Sequence, residues 1–256
     1  MGRRRGFFPL IVALVALVAA TGGRAADLAD GLDAYCAKRL AEAFRILAPL
    51  AEKGSRDAQV IMGLRYFHGM DGKTDFRLAR KWYAKAAEQG DLEAQVELGL
   101  MLAQGQGGKA DVSEAVRWFR RAAESGYSEG QYNLGFAYSS GQGVTQDAGA
   151  AIEWLTKAAE QGETWAQSNL GYLYMNAGQT RDSKVVGYKW LLLSSTEGDE
   201  EAKKLLERER PLMTADELSQ AERLAGQFVA NPTAATDSVT RRCRPDSAEA
   251  AKKKSD

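Results

Sequence analysis

Histidine and cysteine are scarce in this sequence, which has one histidine, His68, and two cysteines, Cys36 and Cys243, among 256 residues. A metal site built from several imidazoles is therefore excluded, and a Ser-His-Asp triad has one candidate base at most. His68 falls at a predicted helix end, where a histidine is typically a polar surface residue, and no nucleophile turn lies near it. We expect no metal, no cofactor and no enzymatic activity.

The sequence also lacks an excess of either charge, since 34 basic residues balance 34 acidic ones. Residues 1–25 contain four arginines and no acid, so the rest of the chain has 30 basic and 34 acidic residues. Proteins that bind nucleic acid concentrate lysine and arginine on one face. We therefore expect no nucleic-acid partner.

A long apolar run occurs only at the N-terminus, where Phe7–Ala20 follows the basic residues Arg3–Arg5. This run is too short for an ordinary membrane span and suits the core of a signal peptide. Small residues predict cleavage after Ala25, and Val18–Ala20 offers a second site. The alternatives are a twin-arginine export motif at Arg4–Phe8 and an uncleaved membrane anchor. Cleavage would leave no stable membrane span and would place a bacterial protein in the periplasm or outside the cell.

Most of the chain is a tandem repeat, because three rows of residues recur in one phase with a constant step of 36 residues. The rows are Gly54, Gly90, Gly126, Gly162 and Gly198; Gly63, Gly99, Gly135 and Gly171; and Trp82, Trp118, Trp154 and Trp190.

Each repeat predicts two helices. The first begins near Asp57 and contains a glycine of the Gly63 row, whose missing side chain lets a neighbouring helix approach closely. The second presents an apolar face at helical spacing and ends at a glycine of the Gly54 row, suited to a left-handed C-cap. Four residues are predicted N-caps of the second helices: Asp75, Asp111, Asp147 and Ser183.

The closing motif of the second helix is nearly identical in three repeats, at Ala86–Gly90, Ala122–Gly126 and Ala158–Gly162. Together with the Ala-Gln, Leu-Gly and Tyr positions of the first helix, best seen in Gln131–Gly162, it resembles the Sel-one-like repeat (SLR) family, a relative of the tetratricopeptide repeat. The resemblance implies an all-α, right-handed superhelical solenoid of helix-turn-helix units. It also implies a protein-binding role.

The domain organisation follows from the repeat. We predict a signal peptide at 1–25, a helical lead-in with half a repeat at 26–54, and four repeats at 55–198, of which the fourth departs from the pattern. Capping helices follow at 199–230, where Pro211 ends one helix and Thr214–Glu217 forms a capping box. Residues 231–256 have few large apolar residues and are predicted to be disordered.

The two cysteines lie outside opposite ends of the repeats. An exported protein with an even number of cysteines favours a disulfide. A long array separates its ends, however, and only a flexible segment after Val229 brings Cys243 back to Cys36. An intramolecular bridge, intermolecular pairing and free thiols all stay open.

The side of the first helix opposite the repeat core carries the positions of Asp57, Ile61, Leu64 and His68. We predict that a partner segment binds along this side, in the concave groove, with Phe136 and Tyr172 as anchors and Asn133 and Asn169 bonding its backbone. The remaining candidate residues are Leu64, Leu100, Glu97, His68 and Gln104. The alternative is that the apolar members of this row pack between neighbouring first helices.

The sequence thus predicts an exported, non-enzymatic scaffold or regulator that binds another protein or peptide, expected to be an envelope protein. A hydrolase or ligand-binding protein acting on cell-wall material is the alternative from another class, with Glu97 and Asp57 as its acids. A membrane-tethered adaptor with an uncleaved N-terminus is a third. The oligomeric state does not follow from the sequence.

Overall fold

The computed structural model describes residues 27–177, 180–232 and 243, and these residues form twelve α-helices and no strand. The described part of α1 comprises residues 27–36. The other helices are α2 (Leu40–Glu52), α3 (Arg56–His68), α4 (Phe76–Glu88), α5 (Leu92–Gln104), α6 (Val112–Glu124), α7 (Ser128–Ser140), α8 (Ala148–Glu160), α9 (Thr164–Ala177), α10 (Arg181–Thr196), α11 (Glu200–Glu209) and α12 (Ala215–Gly226). The predicted signal peptide lies outside the described residues, as does the predicted disordered tail apart from residues 231, 232 and 243.

The chain divides into two compact units, one formed by residues 1–89 with 239–256 and the other by residues 90–238. In the first unit, α3 packs between α2 and α4. In the second unit, each helix from α5 to α10 packs against the next, and both α11 and α12 pack against α10. The first helices of the repeats are α3, α5, α7 and α9, and the second helices are α4, α6, α8 and α10. The predicted all-helical fold of paired helices is confirmed.

Three of the four predicted N-caps are confirmed. The Asp75 carboxylate accepts hydrogen bonds from the backbone N–H groups of Arg77 and Leu78, both at 3.0 Å. Asp111 and Asp147 accept equivalent bonds at the starts of α6 and α8. These side chains satisfy backbone donors that have no partner inside the helix.

The fourth predicted N-cap, Ser183, is wrong. The cap of α10 is Thr180, whose hydroxyl accepts a hydrogen bond from the Ser183 backbone N–H. The helix has 16 residues rather than the 13 of α4, α6 and α8. Thr180 supplies a capping hydroxyl three residues earlier than Ser183. Asp182 in the first turn also stabilises this helix start, because its negative charge interacts favourably with the positive end of the helix dipole.

The two glycine rows have the separate roles that the sequence predicts. All glycines of the Gly54 row have positive φ, from 85° to 95°, immediately after the C-cap residues of the second helices. In the other row, a Cβ on Gly63 would lie 2.6 Å from the Tyr83 ring, and one on Gly135 would lie 2.8 Å from Leu155 Cγ. The missing side chain therefore admits a large side chain of the paired second helix, rather than chiefly its backbone.

Buried glutamines join one repeat to the next. Gln59, Gln131 and Gln167 each donate from Nε2 to the carbonyl oxygen of an alanine near the end of the preceding helix, at 3.1, 3.3 and 3.2 Å. In two of them, Gln59 and Gln131, the Oε1 atom also accepts a hydrogen bond from a second glutamine, which directly follows the next second helix. Gln161 donates to Gln131 at 2.7 Å, and Gln89 donates to Gln59 at 2.6 Å.

The fourth repeat interrupts this pattern. Glu197 stands where Gln89 and Gln161 stand in their repeats, and a carboxylate has no N–H to donate. Gln167 Oε1 is buried, and it has no hydrogen-bond partner among the residues that the structure describes. A buried acceptor without a hydrogen-bond partner costs folding free energy and therefore lowers the stability of the fourth repeat.

The C-terminal helices cover the last helix pair. The predicted capping box is confirmed, because Thr214 and Glu217 exchange side-chain to backbone hydrogen bonds at the start of α12. Ala221 of α12 packs with Val185 and Tyr188 of α10 in one buried cluster. These helices give α10 the neighbour that a fifth repeat would otherwise provide.

The two cysteines form a disulfide, with the Cα atoms of Cys36 and Cys243 4.9 Å apart and a sequence separation of 207. Both belong to the first compact unit. Cys243 therefore lies beside the N-terminal part of the chain. Of the three arrangements that the sequence leaves open, the structure has the intramolecular bridge.

Replacing Glu197 by glutamine is expected to stabilise the protein by about 1 kcal/mol, because the new amide can donate to Gln167 Oε1. The reciprocal change, Gln161→Glu, removes the donor to Gln131 and is expected to destabilise by about the same amount. Chemical denaturation monitored by circular dichroism measures both changes.

Removing the Glu197 charge should also stabilise α10, because a negative charge near a helix C-terminus interacts unfavourably with the helix dipole. Glu197→Ala is the matched control, since it removes this charge and supplies no donor. Equal stabilities of Glu197→Gln and Glu197→Ala would contradict the hydrogen-bond explanation.

Candidate functional site

The first helices of the second unit present one continuous set of side chains on the side away from their paired helices. We call this set the groove face. It consists of four residues from each of three helices: Glu93, Glu97, Leu100 and Gln104 on α5; Glu129, Asn133, Phe136 and Ser140 on α7; and Trp165, Asn169, Tyr172 and Asn176 on α9. The residues of each helix are spaced by three or four positions, so they share a face. Neighbouring helices of the set are in contact, α5 with α7 and α7 with α9.

A cavity of about 250 Å³ opens between α5, α6 and α7. Its walls include four of the predicted partner-binding residues: Leu100, Gln104, Asn133 and Phe136. Apolar side chains of α6, including Val116 and Phe119, form its floor. A small, mostly apolar cavity beside a few polar groups is suited to one side chain of a bound segment.

Large aromatic side chains lie exposed on the groove face, and one of them, Phe136, also lines this cavity. Phe136 is 40% exposed and Tyr172 is 51% exposed, so both predicted anchors are accessible. Trp165, which is not among the predicted partner-binding residues, is 59% exposed and lies two turns before Tyr172 on α9. Exposed aromatic residues that cluster in this way are typical of binding surfaces.

The two predicted asparagines are held in fixed positions. The Nδ2 atoms of Asn133 and Asn169 donate to the carbonyl oxygens of Glu129 and Trp165, at 2.7 and 2.8 Å, one turn back along each helix. Their predicted role of bonding a partner backbone stays a prediction, and the fixed amides lower the entropy cost of such bonds.

Three carboxylates meet at one corner of the groove face. Burial and the neighbouring carboxylates of Glu93 and Glu129 raise the pKa of Glu97 to about 7. Glu129 also accepts a hydrogen bond from the Tyr127 hydroxyl at 3.0 Å. Ionising Glu97 is costly because the charge loses water and meets like charges. We call Glu93, Glu97 and Glu129 the acidic corner.

The predicted row does not continue as an exposed stripe in the first unit. Leu64 is 8% exposed, and Ile61 is fully buried, so this part of α3 belongs to a core. Where α5, α7 and α9 have Glu97, Asn133 and Asn169, α3 has the apolar Ile61, which favours burial of the whole side. His68 is exposed at the end of α3, with its ring 5.0 Å from that of Phe67.

Trp165, Glu93 and Glu129 are the groove-face residues that sequence reasoning missed. They occupy the position of Asp57 in the later repeats, a position already assigned to the side opposite the core. Following that position through the period of 36 residues would have found all three.

A larger cavity, of about 490 Å³, lies between α8, α10 and the segment that follows α12. Its charged side chains already have partners within the protein. Lys157 pairs with Glu153 at 2.7 Å, and the Lys189 ammonium lies 3.7 Å from the centre of the Trp190 ring. This cavity belongs to the packing of the C-terminal segment on the last repeats.

Successive helix pairs with buried glycine contacts define an α-helical repeat protein. The Sel1 repeat family model matches residues 56–91, 92–127, 128–163 and 166–199, and the chain belongs to this family. Proteins of this family are generally non-enzymatic scaffolds, and their repeats generally mediate protein–protein interaction. A search of curated proteins found no significant match.

Two solved structures show the fold. A protective antigen present in uropathogenic Escherichia coli strains, which displays an SLR fold, is 34% identical with a TM-score of 0.69, covering 83% of this chain. This chain spans 48% of that protein. A Sel1 repeat protein from Oxalobacter formigenes is 24% identical with a TM-score of 0.67, and the alignment covers 85% of this chain and 96% of that one.

No helix in the described part of the chain is long and apolar enough to cross a membrane.

The raised pKa of Glu97 predicts a pH-dependent stability. Because the folded protein holds this proton up to about pH 7 and the unfolded chain only to about pH 4.5, stability falls as pH rises between these values. Glu97→Gln is expected to stabilise the protein by on the order of 1–2 kcal/mol at pH 8, after allowance for partial exposure. The gain should vanish near pH 4, where the glutamate is protonated.

Urea denaturation of both proteins across this pH range measures the effect. Glu207→Gln, which neutralises an exposed carboxylate on α11, is the control and should show no comparable pH-dependent gain. A gain from Glu97→Gln that is the same at pH 4 and pH 8 would contradict the prediction.

Proposed function

We propose that this protein is an exported, non-enzymatic scaffold or regulator that binds a segment of another protein on the groove face. The observation that supports this most is the cavity of about 250 Å³ beside the exposed Phe136 ring. Four residues predicted from sequence as partner contacts lie in its wall. The family's general role in protein–protein interaction supports the same proposal.

The groove face has the physical features of a binding surface. Phe136 and Tyr172 keep 40% and 51% of their area exposed, and covering large aromatic side chains contributes on the order of 1–2 kcal/mol each. Their backbone lies in helices whose opposite sides are buried in the repeats. Binding should therefore cost little conformational entropy of the protein backbone.

Alanine at Phe136 and Tyr172 together is expected to abolish partner capture, because the double variant removes both exposed anchors. The melting temperature and helicity should change little, since both side chains are largely outside the core. Cross-linking and affinity capture from the native cell envelope, followed by mass spectrometry, measure the first effect, and circular dichroism measures the second.

Leu212→Ala is the matched control. Leu212 is a large apolar side chain, 65% exposed, in the turn between α11 and α12 and outside the groove face. This variant should capture the same partner as the unmodified protein. A large loss of stability in the Phe136 and Tyr172 variant would assign these residues to the core and contradict the proposal.

Export is the second part of the proposal, and its support is the sequence of residues 1–25. If the signal peptide is cleaved, mass spectrometry of the protein from native cells should give an N-terminus at Ala26. Replacing Ala25 by a bulky residue such as tryptophan should block cleavage there. An intact N-terminus in the unmodified protein would instead support the membrane-tethered adaptor.

One observation favours the enzymatic alternative. A carboxyl group with a pKa near 7, as Glu97 has, matches the need of a general acid at neutral pH. The other acid weighed from sequence, Asp57, lies on α3 in the first unit. Turnover of muropeptides or β-lactams by the purified protein, lost in Glu97→Gln, would support the hydrolase over the scaffold.

A further inference from the structure

After α12 the chain continues as a non-helical segment that packs against α8 and α10 in the second unit. We call its residues Phe228–Asn231 the strap. The Phe228 ring packs edge to face against the Trp190 ring, with the ring centres 5.4 Å apart. The Asn231 backbone N–H donates to the carbonyl oxygen of Glu160, the last residue of α8, at 2.9 Å. An aromatic side chain and a backbone hydrogen bond three residues later therefore hold the strap on these helices.

The surface under the strap differs from the equivalent surfaces of the earlier repeats. In those repeats a cation three residues after the tryptophan lies over the tryptophan ring, at 4.2, 4.5 and 4.1 Å from its centre: Lys85 over Trp82, Arg121 over Trp118 and Lys157 over Trp154. In α10 the same position is Leu193, which packs with Phe228 against the buried cluster that contains Trp190. The last repeat has thus exchanged a covering cation for an apolar residue, and a second segment supplies the ring contact.

A lysine at this surface favours an aromatic occupant. The Lys189 ammonium lies 3.7 Å from the centre of the Trp190 ring and 5.3 Å from the centre of the Phe228 ring. A cation is attracted to the face of an aromatic ring, whereas an aliphatic side chain offers no such attraction. The surface should therefore prefer phenylalanine to leucine at the position of Phe228, although both side chains are apolar.

The strap fills only part of the space beside it. The cavity of about 490 Å³ between α8, α10 and this segment has Phe228, Val229 and Asn231 in its wall. The Val229 side chain is 84% exposed, so the strap gains little from burying it. A segment with a larger side chain at this position would bury more of its surface against the protein than the strap does.

We propose that the surface of α8 and α10 under the strap is a second peptide-binding site, which the strap occupies and which a segment of a partner protein takes in its place. The partner segment places an aromatic side chain on Trp190 and, three residues later, a backbone N–H on the Glu160 carbonyl oxygen. A large side chain between these two points fills the cavity beside the strap. This site lies outside the groove face and does not depend on it.

The strap competes with such a partner. A single residue, Gln227, joins the strap to the end of α12, so the effective concentration of the strap at the site is high. A partner segment therefore has to make contacts that the strap does not make, and the cavity provides the room for them. Weakly binding segments are excluded, because the strap covers Trp190 against them.

Fluorescence anisotropy of labelled peptides with the full-length protein tests the proposal. The first peptide has the sequence of residues 227–232, and the second has the same sequence with Val229→Trp. We expect the second peptide to bind the unmodified protein more tightly than the first. Both should bind the Phe228→Ala protein about tenfold more tightly than the unmodified protein, because the competing strap has lost its aromatic contact. Phe228→Leu in the second peptide should weaken its binding.

Leu193→Lys is the matched variant of the site, since it gives α10 the cation that covers the tryptophan in the earlier repeats. It should weaken binding of the second peptide about tenfold, with the helicity unchanged in circular dichroism. The double variant Phe136→Ala, Tyr172→Ala should bind this peptide as the unmodified protein does, because it alters only the groove face.

Each other outcome overturns the proposal. Binding to the Phe228→Ala protein but not to the unmodified protein would show that the strap is a permanent part of the fold and is not exchanged. Equal binding to these two proteins would place the peptide elsewhere on the molecule. Binding to neither would show that the surface accepts the strap only as part of its own chain. The proposed role of the groove face stands or falls separately, by its own partner capture.

Discussion

The pairing of the two helices in each repeat depends on one contact, between a glycine in the first helix and a large side chain in the second. A Cβ at Gly63 or Gly135 would collide with Tyr83 or Leu155. Glycine within a helix costs about 1 kcal/mol relative to alanine, and the sequence accepts this cost in all four repeats. The compensation is close packing, since the large side chain fills the space completely and becomes fully buried.

That contact divides the sequence into a repeated part and a variable part. The repeated residues cap helices, fill the core or bond one repeat to the next, as Gln59, Gln131 and Gln167 do. The outer side of the first helix has no such duty, so its residues are free to differ from one repeat to the next. In the second unit this freedom produces acids at one corner and aromatic rings at the other, over a rigid frame that holds them in register.

Most of the fold could be predicted from the sequence because the same local patterns recur in all four repeats, so each interpretation can be checked four times. Helix pairs, glycine turns, three N-caps and the Thr214 capping box all depend on local chemistry that the sequence displays directly. The start of α10 could not be fixed in this way, since Thr180 and Ser183 both offer a hydroxyl oxygen that can cap the helix. The site was predicted only in part. Leu64 is buried, and the raised pKa of Glu97 arises from burial and from the carboxylates of Glu93 and Glu129, the second of which lies in the next repeat. The Cys36–Cys243 bridge depends on the path of the chain after α12, which no local pattern encodes.

The acidic corner lowers the stability of the folded protein at neutral pH. A carboxyl group with a pKa near 7 is partly ionised at neutral pH, and the folded protein is then less stable than it would be with a neutral side chain at Glu97. Removing this destabilisation needs only an amide, and the next two repeats have asparagine at the equivalent position. The frame gains nothing from the charge, because Glu97 lies outside the contacts that pair the helices. The cost of this charge therefore falls on the variable side of the first helices and not on the contacts that join them.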